Sequence, residues 1–338
     1  MIKVLITDKL AKEGIDLINA TPGAEAVVKV GISEDELCTI IRDYDGLIVR
    51  SETKVNAKVL SNPGRLKAVA RAGVGVDNID VPAATRKGIL VMNTPGGNTL
   101  SAAEHTMALM LAMSRNVVQA CNSLKSGAWD RKKYTGNQLN NKVLGVIGLG
   151  RIGIAVARMA HGLNMKILGY DPLSAPTNAE ELGIEVTDKL ERIFRESDFI
   201  TIHVPKNPQT LNMIGAEQIA MMKPTVRLVN CARGGIINED ALYDALAKKR
   251  IAGAALDVFS SEPPQDLRFA ALDNCIVTPH LGASTEEAQV EVAVEAAEIL
   301  LDAIKGGPIR NAVNAPSTSG AVPPDRKSTR LNSSHTIQ

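Results

Sequence analysis

A chain of 338 residues with 45% hydrophobic and 22% charged side chains and a formal net charge of +1 has the composition of a globular protein of two domains. Nothing in that balance marks disorder, a membrane span or attraction to a polyanion, and an aromatic content of 3% offers no stacking platform for single-stranded nucleic acid. The four cysteines, Cys38, Cys121, Cys231 and Cys275, lack the paired spacing of a zinc site or a redox dithiol, so a reducing cytoplasm and no metal are expected. The amino-terminal MIKVLITDKL enters a strand directly, without the features of an export signal.

In chain order, Ile2 to Ile6, Ala26 to Val30, Gly46 to Val49, Ala68 to Arg71 and Leu90 to Met92 read as short apolar strands separated by polar helices, the pattern of a parallel α/β sheet. The stretch from Ser101 to Asn116 is apolar on several sides and is expected to be a buried connecting helix. A second alternating block follows, with strands at Val143 to Ile147, Ile167 to Tyr170, Phe199 to Val204, Val226 to Asn230, Ala254 to Asp257 and Ile276 to Thr278. Ser33 with Glu36, Ser101 with Glu104, and Ser284 with Glu287 match the capping box and are expected to open helices. Beyond Ser284, Val290, Val294, Ala297, Leu301 and Ile304 recur at helical spacing and form the expected inward face of a last helix. If that helix returns to the first block, the first domain is discontinuous.

The most specific motif is VLGVIGLGRIG followed by an apolar helix and MKILGYD. Gly148, Gly150 and Gly153 follow a strand and open a helix, and Asp171 closes the next strand, which is the context a dinucleotide fingerprint requires. Gly148 permits the tight turn, Gly150 lets the backbone approach a pyrophosphate, and Gly153 allows close helix packing. The Asp171 carboxylate can accept from both ribose hydroxyls and would repel a 2′-phosphate, which favours NAD over NADP. Arg151 could touch a phosphate or simply lie solvated at the helix start.

Downstream, LVNCARGG sets Arg233 immediately after a strand, where a guanidinium can hold a carboxylate and polarise a carbonyl. Glu262 lies in SSEPP and His280 in VTPHLGAST, again at a strand end. Oxidation of an alcohol beside a nicotinamide needs an acceptor for the hydroxyl proton, and an imidazole oriented by a carboxylate supplies one. His105, His161 and His203 lack that company and read as packing or capping residues.

Over residues 2 to 316 the chain resembles the D-isomer-specific 2-hydroxyacid dehydrogenases, through VRSETKV, RAGVGVDNID, ATRKGILVMNTPGGNTLSAAEHT, GLGRIG, NCARGG, SSEPP, TPHLGAST and GGPIRNAVNAP. The resemblance implies an NAD-binding Rossmann domain over 98–283, inserted into a flavodoxin-like substrate-binding domain made of 1–97 and 284–316. It implies catalytic roles for Arg233, Glu262 and His280. It also implies cofactor contacts by Val74, Arg151, Ile152, Asp171, Val204, Cys231, Ala232, Arg233, Asp257, His280, Gly282 and Ala283, beside the fingerprint glycines. Where relatives often carry threonine, Val74 and Val204 retain only backbone or packing roles. A homodimer or homotetramer is expected.

Arg50 and Arg71 both follow short strands at the same expected sheet edge, while the backbone of Gly73 and Gly75 together with Asn98 could bind a carboxylate. Two cations suit a phosphorylated acid, and the resemblance then implies NAD-dependent oxidation of 3-phospho-D-glycerate to 3-phosphohydroxypyruvate. A glyoxylate or hydroxypyruvate reductase and an NAD-sensing corepressor are the alternatives. Arg131, Lys132 and Lys133 beside Trp129 either add charge near the substrate, across a dimer interface, or form a solvated loop. The stretch Asp325 to His335 matches the codon-by-codon translation of a common sequencing adapter, so residues 325–338 are expected to be foreign within a disordered tail, 317–338. Their removal deletes three cations and one anion, which moves the formal charge from +1 to −1. A further carboxy-terminal domain could follow in the natural chain.

Overall fold

The computed structural model describes residues 1–173, 179 and 181–316, so the expected tail at 317–338 lies outside the described residues. The described residues divide into two compact units, 1–98 together with 285–316, and Thr99–Ser284. The expected joins, 97/98 and 283/284, fall one residue earlier. Among the described residues, no helix is long and apolar enough to cross a membrane.

The first unit runs β1 (Ile2–Ile6), α1 (Lys12–Ala20), β2 (Ala24–Val28), α2 (Glu34–Ile40), β3 (Gly46–Val49), β4 (Ala68–Arg71), α3 (Val81–Arg86) and β5 (Leu90–Asn93). The second runs α4 (Thr99–Ser114), α5 (Val117–Lys125), β6 (Val143–Ile147), α6 (Arg151–Gly162), β7 (Lys166–Tyr170), β8 (Ile184–Val186), α7 (Leu190–Glu196) and β9 (Phe199–Ile202). It continues through α8 (Ala216–Met221), β10 (Arg227–Asn230), α9 (Glu239–Ala247), β11 (Gly253–Leu256) and β12 (Cys275–Val277), after which α10 (Glu286–Ile304) belongs to the first unit.

All five strands of the first sheet are parallel, in the order β2-β1-β3-β4-β5. Such a sheet is covered on both faces, which is why GLIV in β3 is apolar without interruption and fully buried. Alternate residues then feed two cores: Leu5, Leu47, Val49, Val69 and Val91 on one face, and Val4, Ile6, Ile48, Ala70 and Met92 under α10 on the other. The inward face of α10 is Ala288, Val292, Ala293, Ala296, Ala297, Ile299, Leu300, Leu301 and Ile304. Val290 and Val294, expected on that face, are only half-buried, because the stripe is turned toward α1, whose Gly14 packs against Ala293. Each fully buried isoleucine or leucine there contributes roughly 1.5–3 kcal/mol.

The second sheet is also parallel, in the order β12-β11-β10-β9-β6-β7-β8, so its strand order reverses between β6 and β9. Strand β8 is three residues long and was not expected; its single buried residue, Ile184, is too little for an apolar pattern to show. Two expected caps are corrected. Ser33 does accept from Glu36 N–H at 3.2 Å. Ser101, however, lies inside α4 with its hydroxyl spent on Gly282 O, and α10 is capped by Thr285, which accepts from Ala288 N–H, rather than by Ser284.

Candidate active site

The fingerprint glycines occupy the point where the second sheet reverses, at the carboxyl end of β6, the position where open α/β sheets bind ligands. Gly148 has φ +95, and a Cβ there would come within 2.6 Å of His203 O, so both the turn and the neighbouring strand end exclude a side chain. A Cβ on Gly153 would run into Gly148 O, which is how α6 packs so close to the loop. A Cβ on Gly150 would meet nothing. That open face, at a helix start with no side-chain cap, leaves the amides of Arg151 and Ile152 available to a phosphate. Asp171 follows β7 with one carboxylate oxygen accepting from Leu149 N–H and the other from Leu173 N–H, both at 2.9 Å. These bonds hold it beside the glycine loop. Val204, just beyond β9, packs against Gly148.

The turn Cys231–Ala232–Arg233 leaves β10 under the control of Asn230, whose amide donates to Arg233 O at 2.9 Å and whose oxygen accepts from Ala232 N–H at 3.1 Å. Asn230 was not singled out from the sequence, although a strand-terminal asparagine ahead of a glycine-rich turn is a recognisable signal. A Cβ on Gly234 would collide with the Phe259 carbonyl, so this turn packs directly against the loop bearing Glu262.

Glu262 Oε2 lies 2.6 Å from His280 Nδ1, and Glu262 Oε1 accepts from Phe259 N–H at 3.1 Å. Burial alone would raise the Glu262 carboxyl, but the His280 and Phe259 hydrogen bonds, with the charges of His280 and Arg233, outweigh it and hold the group below the usual carboxylate range. The three residues expected to act together are therefore brought together. Because the carboxylate can only accept, the neutral form of the His280 ring carries its proton on Nδ1 and presents the Nε2 lone pair.

Behind this pair lies Asp257, 0% exposed. Burial would raise its carboxyl, yet donors from His105, Thr278, Leu281 N–H and Gly282 N–H bring it below the usual range. Asp257 and Gly282, expected to touch a cofactor, are thus first of all bonded to each other, at 2.8 Å. His105 is more than a packing residue. Its donor atom, Cys231 Sγ and an Asp257 oxygen lie within 4.8 Å of one another. The carboxylate is already engaged by protein donors, and burial pushes the Cys231 thiol up to about 12, so the trio reads as a hydrogen-bonded hub rather than a metal cage.

Ala283 follows Gly282 and is half-buried, and the remaining expected residues belong to the first unit. Arg50 follows β3 and Arg71 ends β4, with Val49 and Arg71 in register, so both cations stand at the carboxyl edge of that sheet. Asp8, just after β1, accepts from Arg50 N–H at 2.5 Å and from the Thr53 amide and hydroxyl, while Asn78 donates to Arg50 O at 2.8 Å. This edge is also where the order of the first sheet reverses, between β1 and β3. Gly73, at φ +148, lies directly against the Arg71 guanidinium, and Val74 O accepts from Asn93 at 2.5 Å. Gly75 follows in the same loop, and Asn98 ends the segment before α4.

The model of the D-isomer specific 2-hydroxyacid dehydrogenase NAD binding domain matches residues 107–282. The chain is 50% identical over 322 residues to D-3-phosphoglycerate dehydrogenase of Synechocystis sp., covering 95% of this chain and 58% of that protein. It is 46% identical over 325 residues to the human protein of the same name, covering 96% of this chain and 61% of the relative. The chain thus spans about three fifths of the length of these curated relatives. Among solved structures, D-lactate dehydrogenase of Aquifex aeolicus complexed with NAD and lactic acid superposes with a TM-score of 0.79 at 30% identity, over 93% of this chain and 100% of that one. The fold, the fingerprint and the matches over both units agree: the chain belongs to the D-isomer specific 2-hydroxyacid dehydrogenases.

Proposed function

We propose that the chain catalyses the NAD-dependent oxidation of 3-phospho-D-glycerate to 3-phosphohydroxypyruvate, the entry to serine synthesis. The observation that carries the chemistry is the Glu262–His280 contact at 2.6 Å beside Arg233. The phosphorylated substrate is supported by Arg50 and Arg71 on adjacent strand ends and by the relatives named D-3-phosphoglycerate dehydrogenase.

Gly148, Gly150, Arg151, Ile152, Gly153 and Asp171 would hold the adenosine and pyrophosphate, with Val74, Val204, residues 231–233, Asp257, His280, Gly282 and Ala283 toward the nicotinamide. NAD, when bound, supplies the acceptor for the hydride leaving C2 of the substrate. His280 Nε2 takes the hydroxyl proton as the carbonyl forms, and Glu262 stabilises the resulting imidazolium. Arg233 holds the carboxylate and polarises the carbonyl oxygen, Gly73, Gly75 and Asn98 add carboxylate contacts, and Arg50 and Arg71 take the phosphate.

A homodimer or homotetramer is supported by α5, which buries none of its residues and exposes Val117, Val118 and Leu124, followed by Trp129 at 74% exposure. Arg131, Lys132 and Lys133 lie exposed beside that tryptophan. The four cysteines are all free, which supports a cytoplasmic setting. NADH formation with 3-phosphoglycerate, glycerate and D-lactate, compared on protein ending before residue 325, tests the activity. A strong preference for the phosphorylated acid is expected. Equal rates on all three would remove the phosphate reading, and tight NAD binding without turnover would favour a nucleotide-sensing role.

A further inference from the structure

Ser101 and His105 stand four residues apart on α4 and so project from one side of it. Both reach the segment that carries His280. Ser101 Oγ donates to Gly282 O at 2.9 Å, and His105 Nε2 lies 3.2 Å from Asp257 Oδ1 and 3.3 Å from Thr278 Oγ1. Asp257 in turn accepts from Thr278 Oγ1 at 2.7 Å, Leu281 N–H at 2.7 Å and Gly282 N–H at 2.8 Å, and its backbone oxygen accepts from His280 N–H at 2.9 Å. Every residue from 278 to 282 except Pro279 is therefore tied to α4 or to the end of β11. The reason for so many ties is visible at the centre: His280 has φ +56, a left-handed conformation that a residue with a Cβ holds only when its surroundings impose it.

We propose that His105, assisted by Ser101, is a positioning residue that fixes the His280 backbone and so aims its imidazole at the reacting hydroxyl. The inference rests on the reading of His280 as proton acceptor. A carboxylate accepts only, so His105 donates through Nε2–H, and it shares that proton between Asp257 and Thr278. Leucine at 105 would fill the same space but leave Asp257 Oδ1 with one donor fewer, freeing the 278–282 segment to relax. Glutamine would keep an N–H donor within reach.

The test compares H105L, H105Q and S101A in the full chain. Expected for H105L is a loss in kcat of about 10- to 100-fold, since a misplacement of about 1 Å can cost that much, with a smaller change in the Kd of NAD and recovery in H105Q. A second readout does not need turnover: the 15N–1H resonances of the His280 ring, assigned by their loss in H280Q, should move in H105L and return in H105Q. A folded H105L with unmoved His280 resonances, or with wild-type kcat, overturns the proposal. A wild-type protein inert on every 2-hydroxyacid, whose His280 resonances nevertheless respond to H105L, would overturn the functional reading and leave the clamp standing. If H105L does not fold, S101A and T278V carry the same readouts.

Discussion

Glu262 Oε2 and His280 Nδ1 meet at 2.6 Å, and that single contact orders the imidazole so that its other nitrogen is left to accept a proton. Replacing His280 by Gln should lower kcat by about 10²- to 10⁴-fold, the usual contribution of a positioned acid–base group. Glu262→Gln should cost less, since it keeps a hydrogen bond but loses the charge facing the imidazolium. Steady-state NADH formation measures both, and wild-type kcat in H280Q would exclude the assigned role.

The backbone of Arg50 is held by Asp8, which accepts from its N–H, and by Asn78, which donates to its carbonyl. Arg50→Gln removes the cation and leaves those backbone bonds intact. Its KM for 3-phosphoglycerate should rise about 10- to 100-fold, the equivalent of a charge-assisted hydrogen bond, while kinetics on glycerate stay near wild type. Equal losses on both acids would show that Arg50 supports the fold and not the phosphate.

Gly150, the cap of α6, and Gly153, inside its first turn, should respond differently to alanine. At Gly153 the new methyl would meet a backbone oxygen that cannot move aside, so destabilisation of about 1–3 kcal/mol or more is expected in denaturant melts. At Gly150 the methyl meets only open space. G150A should keep the wild-type melting temperature but raise the Kd for NAD about tenfold, equivalent to about 1.4 kcal/mol. Unchanged NAD affinity in G150A would argue against a pyrophosphate at that helix start.

Burial pushes the partly buried His203 imidazole down to about 3 from its ordinary 6.5, with Nε2 held 2.9 Å from Thr201 Oγ1. With the folded value below the unfolded one, the unfolded chain alone takes up this proton between those limits. Stability from this group is therefore complete above pH 6.5 and lost as pH falls toward 3. The loss is up to about 1.4 kcal/mol per pH unit. Urea melts at several pH values should show a shallower acid dependence in H203Q than in wild type, and identical slopes would mean that His203 ionises equally in both states.

By itself the sequence determined the α/β class, the two blocks of parallel strands, the glycine fingerprint and the order of Arg233, Glu262 and His280. Those features are local: strand and turn chemistry are written in a few adjacent residues, and a glycine-rich loop between a strand and a helix carries its own signature. Strand ends shifted by a residue or two, and Ile184–Val186 went unseen, because a three-residue edge strand has no period. Tertiary structure alone decided what Ser101, His105, Asn230 and Asp257 do. Ser101 matched a capping box, but a hydroxyl bonds whichever acceptor lies nearest in space, and the fold places Gly282 O there. His105 looked like packing because its partners, Asp257 and Thr278, are far away in sequence. Hydrogen-bond distance falls within about 3 Å, a scale at which separation along the chain carries no information.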